Sequence, residues 1–219
     1  MTEGPLTPDE AARVYDRIGR FQDWQRFYEG APMRDLEAHA SFGSATAVFE
    51  LGCGTGAYAQ RLLGGVLAAN AIYRGVDVSG HMIGLASKRI ERFGDRARVD
   101  RISGVPPLPG GDHSFDRFLA VYVFDLLSDD LSVALLEEAH RLLTEDGRLC
   151  LVSLTEGDSR SARIVCSLWN SVWRRSPSLV GGCRPIDLTG LFHGAWRIDH
   201  AATVTAWAIT SQIVVARPD

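Results

Sequence analysis

The sequence predicts an α/β domain with a doubly wound, mostly parallel sheet and helices on both faces. Three observations predict it. Short apolar runs alternate with helix-length amphipathic runs from Ala47 to Leu154. Gly52, Gly54 and Gly56 stand at every second position after the first apolar run, just where a helical stretch opens. Two more apolar runs, Trp196–Val204 and Trp207–Ala216, lie close enough in sequence to pair as a terminal antiparallel hairpin. Strand–helix alternation points to parallel pairing because each parallel crossover must travel back along a face of the sheet.

Thr7-Pro8-Asp9-Glu10 is a capping box, with Thr7 as N-cap, Pro8 at the first helical position and Glu10 reaching back. A helix is expected from there toward Tyr28. It carries Tyr15, Phe21, Trp24, Phe27 and Tyr28, and makes residues 1–42 a helical lid. The strand candidates that follow are Ala47–Leu51, Tyr73–Val76, Val99–Ile102, Arg117–Val121 and Arg148–Leu154. Helical patterns Tyr58–Leu67, His81–Phe93 and Leu131–Leu143 separate them, and Asp146-Gly147 reads as a helix stop. Residues 45–155 form the expected core. The remainder, 156–219, contributes an Arg- and Trp-rich helix over Ser159–Trp173, a loop from Pro177 to Pro185, and the hairpin.

At 219 residues and 46% hydrophobic content, the chain suits one globular domain. A net charge of −4 argues against sequence-independent binding to nucleic-acid phosphates. The four cysteines are scattered with no C-x-x-C pair, so neither a zinc ribbon nor a redox motif is expected. A reduced, cytoplasmic setting is the natural expectation. The first residues carry charges where a signal peptide needs an apolar core, and no apolar run is long enough to span a membrane.

A strand that ends in a glycine turn and opens a helix brings backbone N–H groups and a helix N-terminus to a ligand. Glycine permits the tight turn and lets the ligand lie against bare backbone. The stretch Gly52-Cys53-Gly54-Thr55-Gly56-Ala57 also satisfies the G-x-G-x-x-G/A dinucleotide pattern. Asp77 stands at the end of the second strand, where an acid accepts hydrogen bonds from ribose hydroxyls. Together these residues imply a nucleoside-type ligand and leave its identity open.

In order, "VFELGCGTG", "GVDVSGHM", "PLPGGDHSFDRFLAVYVFDLL" and "RLLTEDGRLCLVSL" resemble the successive motifs of class I S-adenosylmethionine (SAM)-dependent methyltransferases. The resemblance is closest to the small-molecule branch that includes the ubiquinone/menaquinone-type enzymes. It implies a Rossmann-like, seven-stranded sheet that ends in a reversed strand. It also implies that Glu50 lies near the ammonium of SAM, that the Gly52–Gly56 turn with Cys53 holds the methionine part, and that Asp77 holds the ribose. Val78 and Met82 would border the adenine, while Ala120, Val121 and Tyr122 would approach the sulfonium. One position departs from the pattern. Many relatives place an acid before the Leu-Pro dipeptide, and alignment on Leu108-Pro109 puts Gly104 there beside Ser103. The adenine is then expected to meet Ser103, backbone or water.

Methyl transfer from a sulfonium is an in-line displacement, in which the protein aligns acceptor, methyl and sulfur and excludes water. A base is needed only where the acceptor carries a proton. Tyr122 and Asp125 are the candidate catalytic residues, and Tyr15, Tyr28, Trp169 and Trp173 the candidate walls for a small-molecule substrate. "AVYVFDLL" stands where methyltransferases acting on amines of nucleic acids or proteins carry Asn-Pro-Pro-Tyr. No acid–Asn cluster suggests a metal. His81, His113, His193 and His200 are isolated in the sequence. Two alternatives remain at this level: a nicotinamide-dependent oxidoreductase, and a SAM-binding scaffold without catalysis.

Overall fold

The structure, a computed structural model, describes residues 5, 7–18, 26–157, 159–175, 182–192 and 194–219. The first strand, β1 (Ala47–Leu51), is buried from Val48 onward because it lies between β2 (Ile72–Asp77) and β4 (Phe115–Val121), parallel to both. The strand β3 (Ala97–Arg101) extends the parallel sheet beyond β2, and β5 (Leu143–Leu154) extends it beyond β4. The hairpin of β6 (Trp196–Ala206) and β7 (Ile209–Pro218) completes it, with β7 antiparallel to β5. The order is β3-β2-β1-β4-β5-β7-β6, a seven-stranded sheet.

Strand periodicity divides the core into two layers. Val48, Leu119, Cys150, Val152, Ile213 and Val215 face one way, toward Leu62 and Leu36. Phe49, Phe118, Ala120, Leu149, Leu151 and Val214 face the other, toward Leu135, Leu136 and Leu142. The first layer is covered by α2 (Arg26–His39) and α3 (Ala57–Arg61), the second by α5 (Asp129–Leu142). Burial on both faces is why these strands read as continuous apolar runs instead of alternating ones.

The capping box forms as read. Thr7 N–H donates to Glu10 Oε2 at 2.9 Å and Glu10 N–H to Thr7 Oγ1 at 3.3 Å, opening α1 (Pro8–Ile18). Of the helix expected toward Tyr28, the described residues show α1 and the start of α2; residues 19–25, with Phe21 and Trp24, lie outside the described residues. Gly30 and Pro32 are poor helix residues, yet α2 runs on to His39 because Met33 and Leu36 bury in the core. The helix expected over Tyr58–Leu67 ends sooner, widening into a π-type turn at Leu62–Val66 that contains Gly64-Gly65. Asp146-Gly147 is not the stop of α5, which ends at Leu142. It belongs to a bulge in β5, where the pairing with β4 jumps from Phe115–Leu143 to Arg117–Arg148. A Cβ at Gly147 would sit 2.8 Å from the Thr144 carbonyl oxygen, so the bulge needs glycine there. No helix among the described residues is long and apolar enough to cross a membrane.

A buried cation fixes where α2 meets β1. The Arg117 guanidinium donates to the carbonyl oxygens of Ala40 (2.7 Å), Ser41 (2.8 Å) and Asp116 (2.7 Å). The Asp116 carboxylate in turn accepts from Thr46 N–H at 2.7 Å. Arg117→Met would strand the Ala40 carbonyl, whereas the Ser41 carbonyl keeps the N–H (3.2 Å) and hydroxyl (3.0 Å) of Ser44. An unsatisfied buried group costs about 1–3 kcal/mol, and a loss of that size in urea-induced unfolding is expected. A change within about 0.5 kcal/mol, as for an ordinary surface substitution, would contradict this role.

Candidate active site

The carboxyl ends of β1, β2 and β4 open onto one cleft. After β1 the chain turns at Gly52 (φ 71°), Gly54 (φ 51°) and Gly56 (φ 74°), all in the left-handed region that side chains disfavour. Two of these glycines also lack room for a side chain. A Cβ at Gly52 would lie 2.4 Å from Val123 Cγ2, and one at Gly56 would lie 2.9 Å from Ala86 Cα in α4 (Gly80–Ile90). The N–H groups of Gly52 and Cys53 both donate to the Val76 carbonyl, at 2.8 and 3.0 Å, tying the turn to β2.

Asp77 closes the same turn from the other side. Its Oδ2 accepts from Gly54 N–H at 2.9 Å and its Oδ1 from Ser79 N–H at 2.8 Å. Ser79 caps α4, its Oγ accepting from Met82 N–H at 3.1 Å. Burial pushes the Asp77 pKa up, and these backbone donors pull it partly back. Glu50 is also buried, and the Tyr73 hydroxyl donates to its carboxylate. Burial raises its pKa to about 7, against the Tyr73 bond, which lowers it; the Asp77 charge raises it further. Gly75 makes this packing possible, since a Cβ there would be 2.6 Å from the Tyr73 hydroxyl oxygen. Sequence reading missed Tyr73 and Gly75; their spacing along β2 puts both on one face of the strand, and that was the available signal.

Two adjoining compartments make up the cleft. The more polar one is lined by Glu50, Gly52, Cys53, Gly54, Thr55 and Tyr58, with Tyr28, Met33, Arg34 and Cys183 beside them. The more apolar one is lined by Asp77, Val78, Ile102, Gly104 and Leu127, and is covered by Pro8 and Ala11 of α1. Tyr15, Gly52, Val121 and Tyr122 border both. Gly104 is held at φ 81°, where a Cβ would be 2.6 Å from Val78 Cγ1 and 3.0 Å from Pro8 Cβ. The missing acid is thus explained by backbone and packing: φ is left-handed, and Val78 and Pro8 of α1 occupy the space its side chain would need. Asp16 anchors α1 there by accepting from Ser79 Oγ at 2.5 Å.

Some predicted residues are not in the cleft wall. Gly56 packs behind the turn, Met82 is buried, Ala120 is covered within the sheet between Leu51 and Leu151, and Ser103 faces solvent. Trp169 and Trp173, read as substrate walls, instead donate through Nε1 to the carbonyls of Cys183 and Gly182, both at 2.8 Å. From α6 (Arg160–Arg175) they fasten the segment that carries Cys183. The Cys183 thiol is hydrogen-bonded to Tyr15, and burial pushes its pKa up. A lone cysteine in a Gly- and Pro-rich loop gave the sequence no signal for this placement.

Tyr28 and Tyr122 meet edge to face, with ring centroids 5.7 Å apart. Tyr122 holds φ 53°, uncommon for a bulky residue, and its hydroxyl bonds Ser211 Oγ at 2.8 Å. Asp125 is fully buried outside the cleft lining. Its Oδ2 accepts from Leu154 N–H at 3.3 Å, whereas Oδ1 has no partner among the described residues. Burial lifts its pKa to about 7.

Residues 48–147 match the family model of a methyltransferase domain, favouring the methyl-donor reading of the glycine turn over the nicotinamide one. No curated protein matches. Several solved structures share the fold. The [4+2]-cyclase SpnF aligns with a TM-score of 0.72 at 16% identity, over 100% of this chain and 99% of its own. The geranyl diphosphate C-methyltransferase of Streptomyces coelicolor A3(2) aligns with a TM-score of 0.69 at 13% identity, over 99% and 100%. A SAM-dependent methyltransferase of Aquifex aeolicus gives 0.57 at 14% identity, over 97% and 99%. The segment that builds the glycine turn, Asp77 and β4 thus matches a methyltransferase domain, on a fold common to methyltransferases and a cyclase.

Proposed function

We propose that the chain is a SAM-dependent methyltransferase acting on a small-molecule acceptor. The observation that carries this reading is the pair of buried acids, Glu50 and Asp77, flanking a left-handed glycine turn at the rim of a two-part cleft. SAM is complementary to that arrangement. Its ammonium suits the Glu50 carboxylate, its ribose hydroxyls suit Asp77, and its adenine suits the apolar compartment of Val78, Ile102 and Leu127. The sulfonium then points toward Tyr15 and Tyr122, whose ring faces favour a cation. Bound SAM supplies an activated methyl group. The chain's own residues align it with an acceptor lodged against Tyr28, Met33 and Cys183, and exclude water from the displacement. Asp125 acts from behind this wall as a positioning residue. The helices α1 and α2 serve as the lid, α1 over the nucleoside and α2 beside the acceptor. Within the small-molecule class, the ordered motifs from Val48 to Leu154 support kinship with the branch that includes the ubiquinone/menaquinone-type methyltransferases. The scattered cysteines, with no C-x-x-C pair, support a reduced, cytoplasmic setting.

One observation favours a second reading. The fold likeness to a [4+2]-cyclase extends along the whole chain. In that reading the same cleft holds SAM or its product and shapes a substrate without transferring methyl. Release of S-adenosylhomocysteine on turnover separates the two: equimolar with methylated product in the first, absent in the second.

Three outcomes are expected. S-adenosylhomocysteine at ~100 times its Kd stabilises the folded state by about 2.7 kcal/mol, a melting shift of roughly 5–10 °C in ligand-free protein; no shift would count against the cofactor. Asp77→Ala weakens this ligand roughly 10- to 150-fold by calorimetry, through loss of a charged hydrogen bond. Unchanged affinity in the folded variant would remove Asp77 from the site. The third outcome is pH dependence. The ligand's ammonium needs Glu50 ionised, and the free protein keeps Glu50 protonated below about pH 7. Affinity therefore falls about tenfold from pH 8 to pH 6, and Glu50→Gln flattens the profile. Without ligand the sign is opposite: the raised native pKa lowers stability as pH rises from 4.5 toward 7, because the unfolded glutamate ionises first. A pH-independent affinity in the unsubstituted protein would contradict the ammonium–Glu50 contact.

A further inference from the structure

At the outer edge of the sheet, three side chains with metal-ligating atoms converge. Asp35 and His39 lie one turn apart near the end of α2, and that spacing puts both on one face of the helix. His200 reaches them from β6, next to a register shift between Ile198 and His200. Such a bulge re-aims a side chain. His200 Nε2 lies 2.7 Å from Asp35 Oδ1, and His39 Nδ1 lies 3.6 Å from the same oxygen. One donor atom from each residue falls within 4.8 Å of the others. The two imidazole rings are stacked with centroids 3.5 Å apart and planes 7° from parallel. His200 is thus not the isolated histidine of the sequence reading, and none of the three residues lines the cleft.

We infer that Asp35, His39 and His200 form a binding site for a first-row transition metal of the Zn²⁺ class. The two imidazoles are borderline donors that suit Zn²⁺, Co²⁺ and Ni²⁺, whose sites also accept a carboxylate, whereas Mg²⁺ and Ca²⁺ seek oxygen-only shells. Metal–ligand bonds of about 2.0–2.2 Å at tetrahedral angles put neighbouring donors roughly 3.3–3.6 Å apart. The His39 Nδ1–Asp35 Oδ1 separation already has that value, although Nδ1 also lies 2.9 Å from the Asp35 carbonyl oxygen and must release that contact to ligate; the His200–Asp35 contact must open by less than about 1 Å. The stacked rings must also fan apart so that their lone pairs converge. His39, whose side chain is 43% exposed, has room to turn. The fourth position is left to water. The ion joins α2 to β6, and α2 is the helix that places Tyr28, Met33 and Arg34 in the cleft wall. Its role is to brace that wall.

The test is metal binding, so its result is independent of the methyltransferase reading. Full-length protein is stripped with chelator and titrated with Zn²⁺ by calorimetry. Co²⁺ then reports the donor atoms by absorption. The expected result is one Zn²⁺ per chain, at least ~10-fold weaker in both His39→Ala and His200→Ala, which is a loss of at least about 1.4 kcal/mol. The Co²⁺ complex should lack the thiolate charge-transfer band that a cysteine site would give. If His200→Ala does not fold, His39→Ala, on the more exposed ligand, carries the same test. No heat with Zn²⁺ in large excess would overturn the proposal and leave a stacked pair braced by a carboxylate. So would binding that both substitutions leave unchanged, or a cobalt spectrum dominated by thiolate.

Discussion

The Asp77 carboxylate joins two backbone turns that no strand pairing holds together. One oxygen takes the N–H of Gly54 in the turn after β1, and the other takes the N–H of Ser79 at the start of α4. An anion buried this way is tolerable because the backbone donors replace its water. The rest of the edge follows from this bridge. The glycine turn is drawn against α4 so closely that Gly56 touches Ala86, and the N-terminus of α4 is set beside the space where a nucleoside would lie. Glu50 is buried close by, and the Asp77 charge helps keep it protonated. A bound ammonium would draw Glu50 back to its ionised form, so this corner suits a cationic ligand.

Packing then decides what each side of the cleft can hold. On the Asp77 side, a φ of 81° with Val78 and Pro8 of α1 closing on the position requires glycine at 104, and the wall there is apolar. On the other side the walls are aromatic and are held from behind. Arg117 fixes the connection that follows α2, Ser211 holds the Tyr122 hydroxyl, and two tryptophans of α6 fasten the segment bearing Cys183. The left-handed Tyr122 is a strained residue at the junction of both compartments, where the reacting methyl would sit.

The parallel sheet was legible because burial on both faces writes itself as unbroken apolar runs, and the glycine turn because left-handed φ values demand glycine. Asp77 was legible from its place at a strand end. What was not legible depends on contacts between residues distant in sequence. Trp169 and Trp173 look like ligand walls in an Arg-rich helix, yet their indole N–H groups are spent on a neighbouring loop. The persistence of α2 through Gly30 and Pro32 was hidden because tertiary burial overrides propensity there. Ser103 and Gly104 looked like a weakened adenine contact. The left-handed backbone and the approach of Val78 and Pro8 give the physical reason for the glycine. The Asp35–His39–His200 group is split between a helix and an edge strand, so no local spacing announces it.

The most direct test of the central claim is a crystal structure of the protein grown with S-adenosylhomocysteine. The account predicts the ligand laid across the Gly52–Gly56 turn, with its ribose on Asp77, its ammonium at Glu50, its adenine between Val78 and Leu127, and its sulfur facing Tyr122. Ligand bound elsewhere, or an edge left empty at saturating ligand with Asp77 still bridging Gly54 and Ser79, would contradict it.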